Sequence, residues 1–115
     1  MKNTTIDWPA IIKQTGDDEL VYISDNTEWS NDTDLQTFVY DESDYLLDSR
    51  GHVFTLKNHS SDGVIAQSTQ QFKSLHEVLG LVKAHAAQSG SCCVAKLYAP
   101  GIPEAFDIVK SINND

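Results

Sequence analysis

"YLLDSRGHVFTLKNHSSDGVIAQST" occupies residues 45–69, and its reading decides the fold. Asp48-Ser49-Arg50-Gly51 has the pattern of a type I turn closed by a glycine in the left-handed region, the three-residue hairpin connection. On either side, 45–48 and 52–57 carry apolar and β-branched side chains, which predicts two antiparallel strands. "NHSSDG" turns the chain again, and 64–69 reads as a further meander strand. Gly51 is therefore expected at positive φ.

Upstream of the meander, "LQTFVY" (35–40) alternates. Leu35, Thr37 and Val39 lie on one side, and Gln36, Phe38 and Tyr40 on the other, which predicts a strand. "SDNTEWSNDTD" (24–34) is polar and rich in capping residues, a loop or a short helix around Trp29. "ELVYI" (19–23) is a strand candidate. "IDWPAIIKQTG" predicts a first helix: Asp7 caps it, Pro9 suits the first turn, Trp8, Ile11 and Ile12 give an apolar face, and Gly16 ends it.

Downstream, Ser74-Leu75-His76-Glu77 is a capping box. Leu75, Val78, Leu79, Val82 and Ala86 then mark one helical face, with a stop at Gly90. "CCVAKLY" (92–98) predicts a strand. Pro103 opens a last helix with a stripe of Ala105, Phe106, Val109 and Ile112. Consecutive strands flanked by helices imply an α+β class. The expected architecture is an antiparallel or mixed sheet of about five strands, a meander in its middle, with three helices. It forms a single two-layer domain over residues 6–113, with 1–5 and 114–115 as disordered ends.

The chain has 115 residues and a net charge of -9. Residues 1–48 hold 12 Asp/Glu against 2 Lys/Arg, a net of -10, whereas 49–115 hold 5 against 6, a net of +1. Such a balance disfavours direct binding to nucleic acid or to anionic membranes and attracts a basic protein surface; solubility alone is the plainer explanation. The start lacks the apolar run of a secretory signal, and no segment approaches the ~20 apolar residues of a membrane helix. The expected location is the cytoplasm, where thiols stay reduced.

Both cysteines, Cys92 and Cys93, stand side by side, seven residues after His85. In a strand they point to opposite faces, so they cannot both grip one metal, and the four histidines form no H-x₃₋₅-H pair. No metal and no cofactor is expected. Nothing around the thiols supplies a cationic cluster to lower their pKa, so core packing is the simpler role and inert thiols are expected. Carboxylates at Asp25, Glu28, Asp32 and Asp34 fit no EF-hand register. No phosphate-binding glycine loop, nucleophile elbow or zincin helix is present. What remains is aromatic residues within the acidic half. Trp29, Tyr40, Asp41, Glu42, Asp44 and Tyr45 are the interface candidates, because tryptophan and tyrosine carry binding energy.

Taken together, "DWPAIIK", "DDELVYI", "LLDSRGHVF", "LHEVLGLVKAHA" and "CCVAKLYAPGIPEAF" resemble a family of short gammaproteobacterial proteins, a domain of unknown function, over residues 6–112. The resemblance implies a bacterial cytosolic single-domain protein. It brings no active-site residue with it.

The leading expectation is a non-catalytic cytoplasmic domain acting through protein–protein contact. Its partner is a protein of unknown identity, basic in the simplest case, or a second copy of the chain. The alternative is a small thiol-dependent enzyme or redox sensor using Cys92 or Cys93 with His85. A third reading is an acidic decoy that occupies a nucleic-acid-binding protein.

Overall fold

The hairpin at Asp48–Gly51 organises the molecule. In the computed structural model, which describes residues 5–58, 63–91 and 94–113, Gly51 has φ 84°. Its N–H donates to the Asp48 carbonyl at 2.9 Å, and the Asp48 N–H donates to His52 O at 3.1 Å. On either side run β3 (Tyr45–Leu47) and β4 (His52–Asn58), followed by β5 (Val64–Phe72). Two short strands, β1 (Ala10–Lys13) and β2 (Leu20–Ile23), complete the sheet. The order is β2-β1-β3-β4-β5, with every neighbouring pair antiparallel.

The described residues form four helices: α1 (Asn26–Asn31), α2 (Thr33–Thr37), α3 (Leu75–Gln88) and α4 (Ile102–Asn113). The capping box of α3 is complete: Ser74 N–H donates to Glu77 Oε1 at 2.8 Å, and Glu77 N–H donates to Ser74 Oγ at 3.2 Å. Along α3, Val78, Val82 and Ala86 are buried, and along α4, Ala105, Phe106 and Val109. With Ile11, Leu20 and Leu47 they form one core. Period-two alternation sends the other strand residues to the opposite face, where Ala10, Ile12, Ile23, Leu46, Phe54 and Leu56 pack with Trp29 of α1. The radius of gyration, 13.9 Å, is close to the ~13 Å of a compact domain of this length.

Four sequence expectations are corrected. Residues 10–13, expected in a helix, form β1. Ala10, Ile11 and Ile12 are 0%, 0% and 1% exposed, with Ile11 in one core and its two neighbours in the other. Only an extended backbone at a central sheet position buries three consecutive residues on two faces. Residues 35–40, expected in a strand, end α2 and continue as coil. Asp32 caps that helix by accepting the Leu35 N–H at 3.0 Å, a local bond that outweighs the alternation of the sequence. Of the expected strand at 92–98, Val94–Lys96 form a 3₁₀ turn and Leu97 and Tyr98 are coil; Cys92 and Cys93 lie outside the described residues. Finally, the described helices number four rather than three, and α1 with α2 add cover on the second face of the sheet. The expected disordered ends fall, except for Thr5, outside the described residues.

The hairpin also ties down the segment before β1. Asp48 is 0% exposed. Its Oδ1 accepts the N–H groups of Arg50 and His52 at 2.9 and 3.0 Å, and its Oδ2 accepts the Asp7 N–H at 3.0 Å. Ser49 N–H returns to Asp7 O at 2.9 Å, and the Ser49 hydroxyl donates to Pro9 O at 2.7 Å. The Asp48 side chain is buried this deeply without an unpaired oxygen because hydrogen-bond donors surround it.

Candidate functional site

β3 begins at Tyr45, opposite Thr55, while β4 continues to Asn58. Beyond that last pair a groove of about 660 Å³ opens, with Tyr40 and Glu42 on one side, Thr55 to Asn58 from β4 on the other, and Gln67 from β5. Its aromatic wall is held by side-chain amides and hydroxyls. Asn58 Oδ1 accepts the Tyr40 N–H at 3.2 Å, and Asn58 Nδ2 donates to Phe38 O. One amide thus takes both backbone partners that a neighbouring strand would otherwise supply. The Tyr40 hydroxyl donates to Leu35 O at 2.9 Å. Burial first, then the charges of Asp32 and Asp44, push its pKa up to about 12. The phenol therefore remains a neutral donor across the physiological range.

Outside this wall the surface is apolar. Phe38 is 46% exposed and Val39 80%, and the Phe38 ring lies 4.9 Å from that of Tyr40 at a tilt of 58°. The sequence reading missed this pair because it placed residues 35–40 in a strand, where alternate positions find a core. The signal that could have exposed them was Asp32, a capping residue that starts a helix at Thr33 and so removes the strand alternation that would have given Phe38 and Val39 a core face.

The interface candidates separate. Tyr40 and Glu42 line the groove, and Asp41 is exposed beside them in sequence. Trp29 is 6% exposed and belongs to the core; the amphipathic turn of α1 carries it inward. Tyr45 is half-buried against the α3–α4 core, with the Lys73 ammonium 5.3 Å above its ring. Burial, then the Glu77 charge, raises its pKa.

Asp44 is 4% exposed and acts as an internal brace. Its Oδ1 accepts the Thr15 N–H at 2.7 Å and its Oδ2 the Asp41 N–H at 2.8 Å. Burial pushes its pKa up, but these two bonds, the Thr15 side chain and the Lys13 charge outweigh burial, and the pKa is lowered. A carboxyl with a folded pKa below its unfolded value of about 3.9 stabilises the fold above that value, and the contribution disappears as pH falls through the folded pKa. Asp44→Asn retains one acceptor where two donors converge. It is expected to cost about 1–3 kcal/mol at neutral pH, and the difference from wild type should narrow in urea melts at about pH 2. A deficit of equal size at both pH values would remove the charge from this account.

His85, the base of the thiol alternative, is 1% exposed. Its Nδ1 accepts the Leu20 N–H at 3.0 Å, so Nε2 carries the proton and donates to Asn113 Oδ1 at 3.1 Å. The Asn113 amide donates in turn to Leu20 O at 3.4 Å. Together the two side chains satisfy both backbone groups of Leu20 at the free edge of β2. In this arrangement His85 has no nitrogen left for a thiol. Among the described residues, no three His, Cys, Asp or Glu side chains converge as metal ligands, and no helix is long and apolar enough to cross a membrane.

A solved structure with the same fold, described as the NMR structure of a protein from Shewanella amazonensis, superposes with a TM-score of 0.69 at 24% identity, covering 96% of this chain and 93% of that one. At that identity the likeness is one of fold alone. No curated protein matches the chain. A family model described as "protein structure with unknown function" matches residues 8–109, the whole sheet together with α1 to α3 and most of α4; the chain belongs to this family, DUF4144.

Proposed function

We propose that this is a non-catalytic, cytoplasmic binding module that takes an extended, basic and apolar segment of a partner protein into the groove beside β4. The observation that carries the reading is Phe38 and Val39, exposed at 46% and 80% and held in place beside the groove by Asn58. Exposed apolar side chains on a fixed backbone suit a contact site, because little ordering entropy is lost on binding. Asp41 and Glu42 set two negative charges against the single positive charge of Lys57 in the groove lining, a balance that favours a basic partner. The cytoplasmic location rests on the sequence alone.

Selection of random peptides displayed against the immobilised domain tests the proposal. Enriched peptides should combine Lys or Arg with aromatic or aliphatic residues. Asp41→Asn with Glu42→Gln should slow association, and more so at low salt, because screening acts within about 8 Å at physiological ionic strength. Val39→Ser should mainly speed dissociation. Asp44 is left intact because it braces the fold. Enrichment without basic residues, or binding indifferent to all three substitutions, would withdraw the assignment.

A further inference from the structure

We propose that β5 is a self-association edge, pairing antiparallel with β5 of a second copy across a two-fold axis near Gln67. The proposal does not rest on the groove's partner, although Gln67 borders both sites. The sheet has two edges, β2 and β5. On β2, His85 and Asn113 close off Leu20. On β5, Val64 N–H is held by Gln36 Oε1 at 2.9 Å, so Val64 turns its N–H away from β4. By the alternation of an antiparallel ladder, Ala66 and Ser68 do the same. No hydrogen bond from the N–H of Ala66 or Ser68 to a side chain is found among the described residues. Further along, the register shifts opposite Val53 and Phe54, and Gln70 has φ 63°. There the N–H groups of Gln70 and Gln71 turn back to Ser68 Oγ and Thr69 Oγ1, both at 3.1 Å. The bulge thus ends the usable ladder at Ser68.

Charge identifies the occupant. Edge strands are ordinarily guarded by charged residues or proline, yet β5, VIAQSTQQF, contains neither in a chain of net charge -9. A basic partner would seek carboxylates, and this strand offers none. A second copy is repelled by the acidic first half of the chain but meets a neutral element here. The two-fold arrangement is self-complementary. It sets Ala66 against the copy's Ser68 and Gln67 against the copy's Gln67, with Ile65, 46% exposed, flanking the seam.

Sedimentation over a concentration series, at low and high salt, tests the proposal. The expected result is a monomer–dimer equilibrium that strengthens with salt, because screening relieves repulsion between two acidic chains. Exchange of the Ala66 amide should slow as concentration rises. Ile65→Lys, an exposed site, should abolish the dimer with an unchanged melting temperature; if that variant fails to fold, Gln67→Lys serves instead. A wild-type chain that stays monomeric at high concentration and salt overturns the proposal, as does a dimer that survives the lysine or leaves Ala66 exchange unchanged.

Discussion

Gly51→Val is expected to lower folding stability by about 2–5 kcal/mol, the sum of a disfavoured left-handed backbone and an overpacked site. Gly51 has φ 84°, and a β-carbon built there would overlap the Lys73 carbonyl oxygen and press on Ile102 Cδ1 at 3.0 Å. The carbonyl is part of the backbone and is held on both sides: the N–H of its own peptide plane, that of Ser74, is bonded to Glu77 Oε1 at 2.8 Å, and Lys73 N–H is bonded to Gly51 O at 2.8 Å. Gly16 provides the comparison: φ is 77° but nothing lies within 4 Å, so Gly16→Ala should show the conformational cost alone, about 1 kcal/mol. Chemical denaturation of both variants separates the two contributions. Equal losses would mean that the contact with Lys73 carries no weight.

His85→Leu is the second large effect. Leucine fills most of the space but accepts nothing, leaving the buried Leu20 N–H without a partner and the Asn113 amide without its donor. An unsatisfied buried donor costs about 1–3 kcal/mol. Altered packing around Val82 and Ala86 adds to it, so a loss of about 2–4 kcal/mol is expected. His85→Asn separates the causes. It leaves a cavity but retains a side-chain acceptor, and amide exchange at Leu20 reports whether that bond re-forms. If Leu20 exchange is as slow in the leucine variant as in wild type, the bond does not hold the edge of the sheet.

The parts of this fold that were legible in the sequence are those fixed by local chemistry. A turn that needs positive φ at Gly51 and a capping box at Ser74–Glu77 are complete within four residues each, so neither depends on what the chain meets later. β1 was misread for the opposite reason. Asp7, Pro9 and Gly16 satisfy every local rule for a helix, and a run as short as AIIK does not distinguish helix from strand; the two-sided burial of Ile11 and Ile12 arises only once β2 and β3 flank them. The site divided in the same way. Charge and aromatic content pointed to Tyr40 and Glu42. Whether Asp44 faces solvent or braces Thr15, and whether His85 is a base or a seal for Leu20, depends on partners 29 and 65 residues away.

The clasp around Asp48 has a kinetic consequence. The sheet consists of two pieces that can each form locally, the β1–β2 hairpin and the β3–β4–β5 meander. Among the described residues the ladder that joins them is β1–β3, which closes residues 14–44 into a loop. Closure entropy grows with loop length, and contacts between distant residues slow folding. The largest chain-entropy cost of the sheet therefore falls at this one seam. Asp48 and Ser49 fasten the approach to it, since they hold Asp7 and Pro9 immediately before β1 begins. The turn that starts the meander is thus also the point at which the two halves of the sheet are brought into register.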